Sequence, residues 1–347
     1  MATWPDPALL VRRYGESWWV RALLLLLVAL ASRAPLFGNP VIQVDEQFYL
    51  FAGDHLLHGA WPFVAIWDRK PVGLFLLYAA LRSMGGTGIV AYQVAAMLSV
   101  AATAFVVERI ARRIAAPSGA LIAGMLYILC LPIMGGIGGQ APVFYNLPVA
   151  IAALAVLRVV DADEDAMRGR LFGHGALAMI LIGIAIQIKY SAVFEGLFFG
   201  IVLAVTSLRK RASLAVTIGE SACWAGLALL PTILALAAYW LAGHGSEFVF
   251  ANFWSIFLRS GDPADQTLAR FWGIIAFTSP LVVLGCLAPL ANGRRKMSPA
   301  LAFALGWAAS AYAAVLGFGS YFDHYALPLF APLRVAAAPI LGAPRIG

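Results

Sequence analysis

Charge is what this chain has least of. Of its 347 residues 12% are Asp, Glu, Lys or Arg, where a soluble domain carries about 25%. With 62% hydrophobic residues, a water-soluble fold would have to hide more apolar surface than one core of this size can cover. Cysteine is scarce too. Cys130, Cys223 and Cys286 each lie inside an apolar run, with no CxxC or Cys/His ligand spacing, so neither a disulfide framework nor a zinc site is indicated and all three read as buried thiols. No internal repeat or low-complexity linker is present, which argues against the paired halves of many transporters. Acidic residues number 17 against 24 basic ones, a net charge of +7. Basic residues at helix ends in a membrane account for that surplus without a nucleic-acid partner.

What is present is a series of long apolar runs. A bilayer-spanning helix needs roughly 20 mostly apolar residues, and such stretches fall near 18–37, 87–107, 118–135, 143–160, 174–188, 191–208, 214–241, 271–290, 299–318 and 325–342. The fold class is therefore all-α: a polytopic transmembrane bundle of about ten spans, read as one integral membrane domain over 1–347. The first run, Trp18 to Leu36, is longer than a signal core and lacks a clear cleavage site, so it reads as an uncleaved anchor. Basic clusters follow at Arg12/Arg13, Arg109/Arg112/Arg113, Arg168/Arg170, Arg209–Arg211 and Arg294–Lys296. With ten spans and a cytoplasmic N-terminus, every cluster lands on the cytoplasmic side. Residues 71–84 are apolar but too few to span, and counting them as a span would put later clusters outside. They read as an amphipathic helix on the membrane surface. Lys189 divides the long apolar region 174–208 into two spans.

This topology sends a distinctive set of residues to the outer side. The first outer loop, 38–86, holds Asp45, Glu46, Asp54, Asp68, Arg69 and Lys70. A second presents Gln140 and Asn146, the next turn Lys189 and Tyr190, a third His244, Glu247, Asp262 and Asp265, and the last Asp323 and His324. Asp45 and Tyr49 are four residues apart and share a helix face. A carboxylate in a partly dry cleft is a reasonable general base. Arg69 and Lys70, just ahead of Pro71 at a helix start, suit a lipid-linked phosphate. A solvated loop, with cations meeting lipid headgroups, fits the same spacing. Asp54, His55 and His58 read as a surface helix face or a metal cluster. Glu195 and Glu220, inside spans, mark either a polar pocket or paired helices.

The motif order carries more than the spacing. DE-x-x-Y at Asp45–Tyr49, then GAWPF, then WDRKP at Trp67–Pro71, GQAPVFYNLP, IQIKYSAVFEG and YFDHYALPLFAP together resemble the GT-C fold membrane glycosyltransferases. The resemblance covers most of the chain and is greatest toward the branch of dolichyl-phosphate-mannose protein mannosyltransferases and bacterial aminoarabinose transferases acting on lipid A. It implies sugar transfer from a polyprenyl-phosphate donor to a lipid, glycan or protein acceptor, at the outer face of a bacterial inner membrane. Asp45 matches the family's essential first-loop acid, with Glu46 beside it. Lys70 matches a residue of the donor phosphate region and Lys189 a similar basic position, Arg69 adding a further cation. Tyr49, Asp68, Gln140, Asn146 and His324 fall in the matching substrate-binding motifs. The chain departs from the family where Val72 follows Lys70-Pro71 in place of a second Pro, and where Gln140-Ala141 replaces a common Thr-Glu. The second departure removes an acid from the second loop. Many members also run on beyond the His-Tyr element.

Displacement of a polyprenyl phosphate requires its growing negative charge to be met. Attack by a hydroxyl activated by Asp45 from the opposite face would invert the sugar carbon. A divalent metal ion at Asp45, Glu46 or Asp68 remains open, without a specific ligand set. The alternative is a transporter or flippase of a lipid-linked or small polar substrate. That class expects mid-membrane ionisable residues and broken helices, whereas most acids here gather at one surface.

Overall fold

The computed structural model describes residues 17–161, 170–211, 213–259, 261–291 and 297–342. Arg12, Arg13, Arg168, Arg294, Arg295 and Lys296, from the expected cytoplasmic clusters, lie outside the described residues, as does most of the acidic connector after Asp161. Ten helices are long and apolar enough to cross a membrane, and no β-strand forms among the described residues. The molecule is a multi-pass integral membrane protein.

Helix α1 (Trp18–Arg33) leads through a loop to α2 (Val44–Leu57) and α3 (Val72–Arg82). The spans α4 (Ile89–Ala111), α5 (Pro117–Cys130, continued by a 3-10 turn to Met134), α6 (Ala141–Val160), α7 (Leu171–Ile188), α8 (Ala192–Arg211) and α9 (Leu214–Leu241) follow. A short α10 (Gly245–Val249) runs into π and 3-10 turns ending at Leu258, and then come α11 (Ala264–Ala291), α12 (Pro299–Phe318) and, after a 3-10 segment Asp323–Leu329, α13 (Phe330–Leu341). Helices α6, α7 and α9 pack in sequence, while α13 wedges between α11, α12 and α5. The most buried spans are the fourth and the last.

Several helices outrun their apolar runs. Helix α4 continues to Ala111 and so includes Glu108, because Arg21 of α1 lies 2.8 Å from that carboxylate and compensates its charge. Helix α11 begins at Ala264, seven residues before the apolar run, on a polar first turn that includes Asp265. Of the two acids that the sequence reading puts inside spans, Glu195 accepts a 2.6 Å hydrogen bond from Trp307 Nε1 on α12, and Glu220 accepts one of 2.7 Å from Ser207 on α8. Both therefore tie helices together.

Helix α3 has 11 residues and a length of only about 16 Å at 1.5 Å per residue, so it does not span. It lies on α2, whose Gly53 would bring a Cβ to 2.6 Å from the Ala79 backbone. Most of α3 is buried in the protein, with Leu76 turned outward.

Because the spans alternate, odd-numbered spans end and even-numbered spans begin at one end of the bundle. That end carries α2, α3, Gln140, Lys189 and Asp323. The described residues Arg21, Arg109, Arg112, Arg113, Arg158, Arg170 and Arg209 sit at the other. Single cysteines at Thr87 and Ser118, both exposed, in a background without Cys130, Cys223 and Cys286, should label with an impermeant reagent from opposite sides of the membrane. Labelling of both from one side would contradict this span order.

Candidate functional site

The stretch between α5 and α6, Gly135 to Gln140, is the non-helical backbone on which the site is built. Backbone groups away from water need internal partners, and side chains from α1 and α3 supply them. Arg33, at the end of α1, donates from Nη1 to Ile137 O at 2.6 Å and Gly138 O at 3.1 Å, and from Nη2 to Gly136 O. The Tyr78 hydroxyl of α3 donates to Gly139 O at 2.7 Å. Glu46 of α2 lies fully buried against Gly138, where a Cβ would collide with both of its carboxylate oxygens. Gly135, at φ 74°, turns the chain out of the preceding 3-10 segment. Burial pushes the Glu46 carboxyl up to about 7, against the pull of the Gly139 backbone, Tyr92 and Arg33.

Above this loop opens a cavity of about 540 Å³. The first turn of α2 brings Asp45 to its wall, and Gln140 Nε2 reaches Asp45 Oδ2 at 3.4 Å. The segment before α3 contributes Asp68, Arg69 and Lys70. Asp68 Oδ1 accepts the Arg69 backbone N–H at 2.6 Å, while its Oδ2 lies 3.6 Å from Lys70 Nζ. The α7–α8 turn adds Lys189, whose Nζ stands 4.1 Å from the centre of the Tyr325 ring, a cation–π contact. Burial, with Lys70 nearby, pushes the Lys189 ammonium down to about 7, while Asp45 opposes the shift. Asp323 and His324 come from the 3-10 segment before α13.

Seven of the expected site residues thus meet at one cavity: Asp45, Asp68, Arg69, Lys70, Gln140, Lys189 and His324. Three do not line it. Glu46 follows Asp45 directly, and neighbouring residues on a helix face different ways; Asp45 looks into the cavity and Glu46 into the loop. Tyr49 lies beneath the wall, its ring centre 5.1 Å from Lys70 Nζ. Burial and the nearby Asp45 hold its phenol well above the usual range. Asn146 lies inside α6, donating to Tyr127 Oη and Leu327 O at 3.1 Å each, and so anchors the segment that carries His324.

Arg259, from the chain after α10, also lines the cavity. In a long outer segment that also holds Arg270, it gave no signal in the sequence beyond its charge. Asp54 pairs with Arg82 at 2.7 Å, and the His55 and His58 rings face backbone carbonyls of their own helix. Among the described residues no three His, Cys, Asp or Glu side chains form a group suited to a metal ion. Of the acids open to a divalent ion, Asp45 faces the cavity, Glu46 faces the loop, and Asp68 is engaged by Lys70 and the Arg69 amide.

This bundle, with its cavity at the ends of the spans, has the GT-C fold of membrane glycosyltransferases. Among solved structures it is similar to ArnT from Cupriavidus metallidurans bound to undecaprenyl phosphate, at TM-score 0.62 and 18% identity over 92% of this chain and 58% of that one. It is also similar to the Archaeoglobus fulgidus oligosaccharyltransferase in the apo form, at TM-score 0.56 and 12% identity over 92% and 50%. The AglB oligosaccharyltransferase of the same organism, in complex with an inhibitory peptide and a dolichol-phosphate, gives TM-score 0.55 and 14% identity over 92% and 50%. The chain thus spans half to about three-fifths of the length of these proteins. At such identities the likeness is one of fold. No family model matches the sequence, and no curated protein matches it.

The loop account predicts that Gly138→Ala, which drives a methyl into the Glu46 carboxylate, lowers stability by about 1–3 kcal/mol. Thermal unfolding in a neutral detergent reads it. An unchanged melting temperature would mean that Glu46 does not hold this loop.

Proposed function

We propose that the protein is a glycosyltransferase that moves a sugar from a polyprenyl-phosphate donor to an acceptor hydroxyl at the outer face of the membrane. The observation that carries this reading is the cavity itself. The Asp45 carboxylate shares it with cations from separate segments, Lys70 and Lys189, in a bundle of GT-C fold. The basic clusters of the sequence, which the span order assigns to the opposite end, support an outward-facing cavity through the positive-inside bias. ArnT and AglB were solved with undecaprenyl phosphate and a dolichol-phosphate, which supports a polyprenyl-phosphate partner here.

In this mechanism Asp45 takes the proton of the acceptor hydroxyl. The freed oxygen pair bonds to the anomeric carbon as the bond from that carbon to the phosphate oxygen breaks, and the departing pair stays on the phosphate. Attack opposite the leaving group inverts the carbon. Lys70, Lys189 and Arg69 meet the phosphate, whose negative charge grows as the sugar leaves. Lys70 shares the first outer loop with Asp45 and serves both binding and bond cleavage; Lys189 serves mainly binding. Gln140 orients the Asp45 carboxylate, and Asp68 steadies Lys70. Glu46, buried in the loop, has a supporting role. A hexose and a pentose are both compatible with these residues.

Asp45→Asn keeps the shape and removes the proton acceptor. Turnover on a polyprenyl-phosphate sugar should fall by roughly 100- to 10,000-fold, with donor binding retained. Near-normal turnover in the variant would remove Asp45 as the base.

Lys189 gives the site a pH dependence of definite sign. With the ammonium pushed down to about 7 by burial, an anionic donor binds the protonated form more tightly. Affinity for a sugar phosphodiester, whose own charge is constant over this range, should be highest below pH 7. It should then weaken by up to about tenfold per unit above it. Asp45 favours the proton on Lys189, while Lys70 and burial oppose it. Lys189→Met should flatten the titration between pH 7 and 9 while sparing turnover at saturation. Lys70→Met should lower both affinity and turnover. Binding that is independent of pH and unchanged in both variants would dismiss the phosphate clamp.

A further inference from the structure

The end of the bundle opposite the cavity holds a second polar hollow, of about 510 Å³, lined by Arg21, Arg109, Arg112, Arg113 and Arg158 with Trp18 at its rim. These arginines come from three spans: the first turns of α1, the last turn of α4 with the residues after it, and the last turn of α6. Cations that merely anchor a bundle to headgroups would be spread around its rim. Here they converge, and one of them is buried.

A buried ion pair fixes the floor. Arg21 and Glu108, 2% and 0% exposed, lie 2.8 Å apart, and Arg112 stands 3.8 Å from the same carboxylate. Arg113 is held by Asp161 at 2.5 Å. Among the described residues, Glu108 and Asp161 are the acids in ion pairs with these arginines. Arg109 and Arg158 are exposed and form no ion pair among the described residues. Such crowding of like charge favours an anion, and the guanidinium fork matches phosphate oxygens.

The surroundings indicate where that phosphate comes from. Trp18 and Trp19 are 62% and 49% exposed at the start of α1, as aromatic residues are at a membrane interface. Deeper on the same helix Leu23, Leu24 and Leu27 are exposed, as side chains of a span that meet lipid are. An arginine hollow that opens beside an interfacial tryptophan lies at the depth of phospholipid headgroups and offers the forked donors that their phosphate requires.

We propose that this hollow is a binding site for the headgroup of an anionic glycerophospholipid, held chiefly by Arg109 and Arg158. It is distinct from the sugar-transfer cavity: a span of about 20 residues separates the two ends by roughly 30 Å. The sequence after Asp161 is acidic, with Asp163, Glu164 and Asp165. The test therefore uses the whole chain.

Purified protein in a neutral detergent is titrated with phosphatidylglycerol, with phosphatidylcholine of the same acyl chains, and with inorganic phosphate. Retained lipid is counted by native mass spectrometry. Phosphatidylglycerol should bind in preference to phosphatidylcholine. Arg109→Gln/Arg158→Gln should weaken it by roughly tenfold or more, the loss expected for charge-assisted hydrogen bonds. Arg109→Lys/Arg158→Lys should keep part of the binding, and Lys70→Met should leave it unchanged. The substituted side chains are exposed, so the melting temperature should hold. Equal retention of the two lipids, or equal phosphatidylglycerol binding by the wild type and the Gln variant, would overturn the site. Loss of binding in Lys70→Met instead would place the lipid in the sugar-transfer cavity. Displacement of lipid by inorganic phosphate at matched concentration would make the ligand free phosphate, and overturn the lipid assignment.

Discussion

Backbone that leaves the helix near a membrane has to find its hydrogen bonds inside the protein, and the turn from Gly135 to Gln140 is where this chain meets that constraint. Arg33 closes three of its carbonyls and Tyr78 a fourth. Glu46 fills the space that the missing side chain of Gly138 leaves. Without these partners the loop would carry unpaired polar groups, each costing about 1–3 kcal/mol. With them it becomes a rigid bracket joining α1, α2 and α3. Gln140 emerges from that bracket facing Asp45, so the candidate base is positioned by contacts made one layer below it.

The same economy appears on the other walls. Asn146 spends its amide on Tyr127 and on the carbonyl of Leu327, which fastens the His324 segment to the bundle. Tyr190 donates to Asn252, tying the Lys189 turn to the chain that carries Arg259. Polar residues that look like ligands in the sequence thus divide into those that face the cavity and those that hold the facing ones in place. The cavity cations, drawn from segments far apart in sequence, depend on that second group for their convergence.

Much of this was legible beforehand, for identifiable reasons. The spans were readable because apolar runs of this length have few other uses, and Lys189 marked the break between α7 and α8. Their ends were harder. The apolar run 87–107 stops short of Glu108, whose charge is compensated only by its tertiary partner Arg21, and the polar first turn of α11 has no apolar signature. At the site, Asp45, Lys70 and Lys189 were found by motif order, and their meeting at one cavity follows from the alternation of spans. Glu46 was grouped with Asp45 because the two are adjacent, although adjacency on a helix separates directions. Asn146 was assigned to a loop that is in fact the second turn of a span. Arg33 and Arg259 could not be singled out, since only tertiary packing distinguishes them from other arginines at span ends.

The central claim is that Asp45 and the phosphate-facing lysines act on opposite sides of one sugar carbon. The most direct test is stereochemical. Purified protein is given a polyprenyl-phosphate sugar labelled with carbon-13 at the anomeric position, together with an acceptor, and the product is examined by NMR. Inversion at the labelled carbon, with release of polyprenyl phosphate and no ion gradient, is the predicted result. Retention of configuration would contradict direct displacement aided by Asp45, and movement of intact donor across the membrane without transfer would contradict the transferase itself.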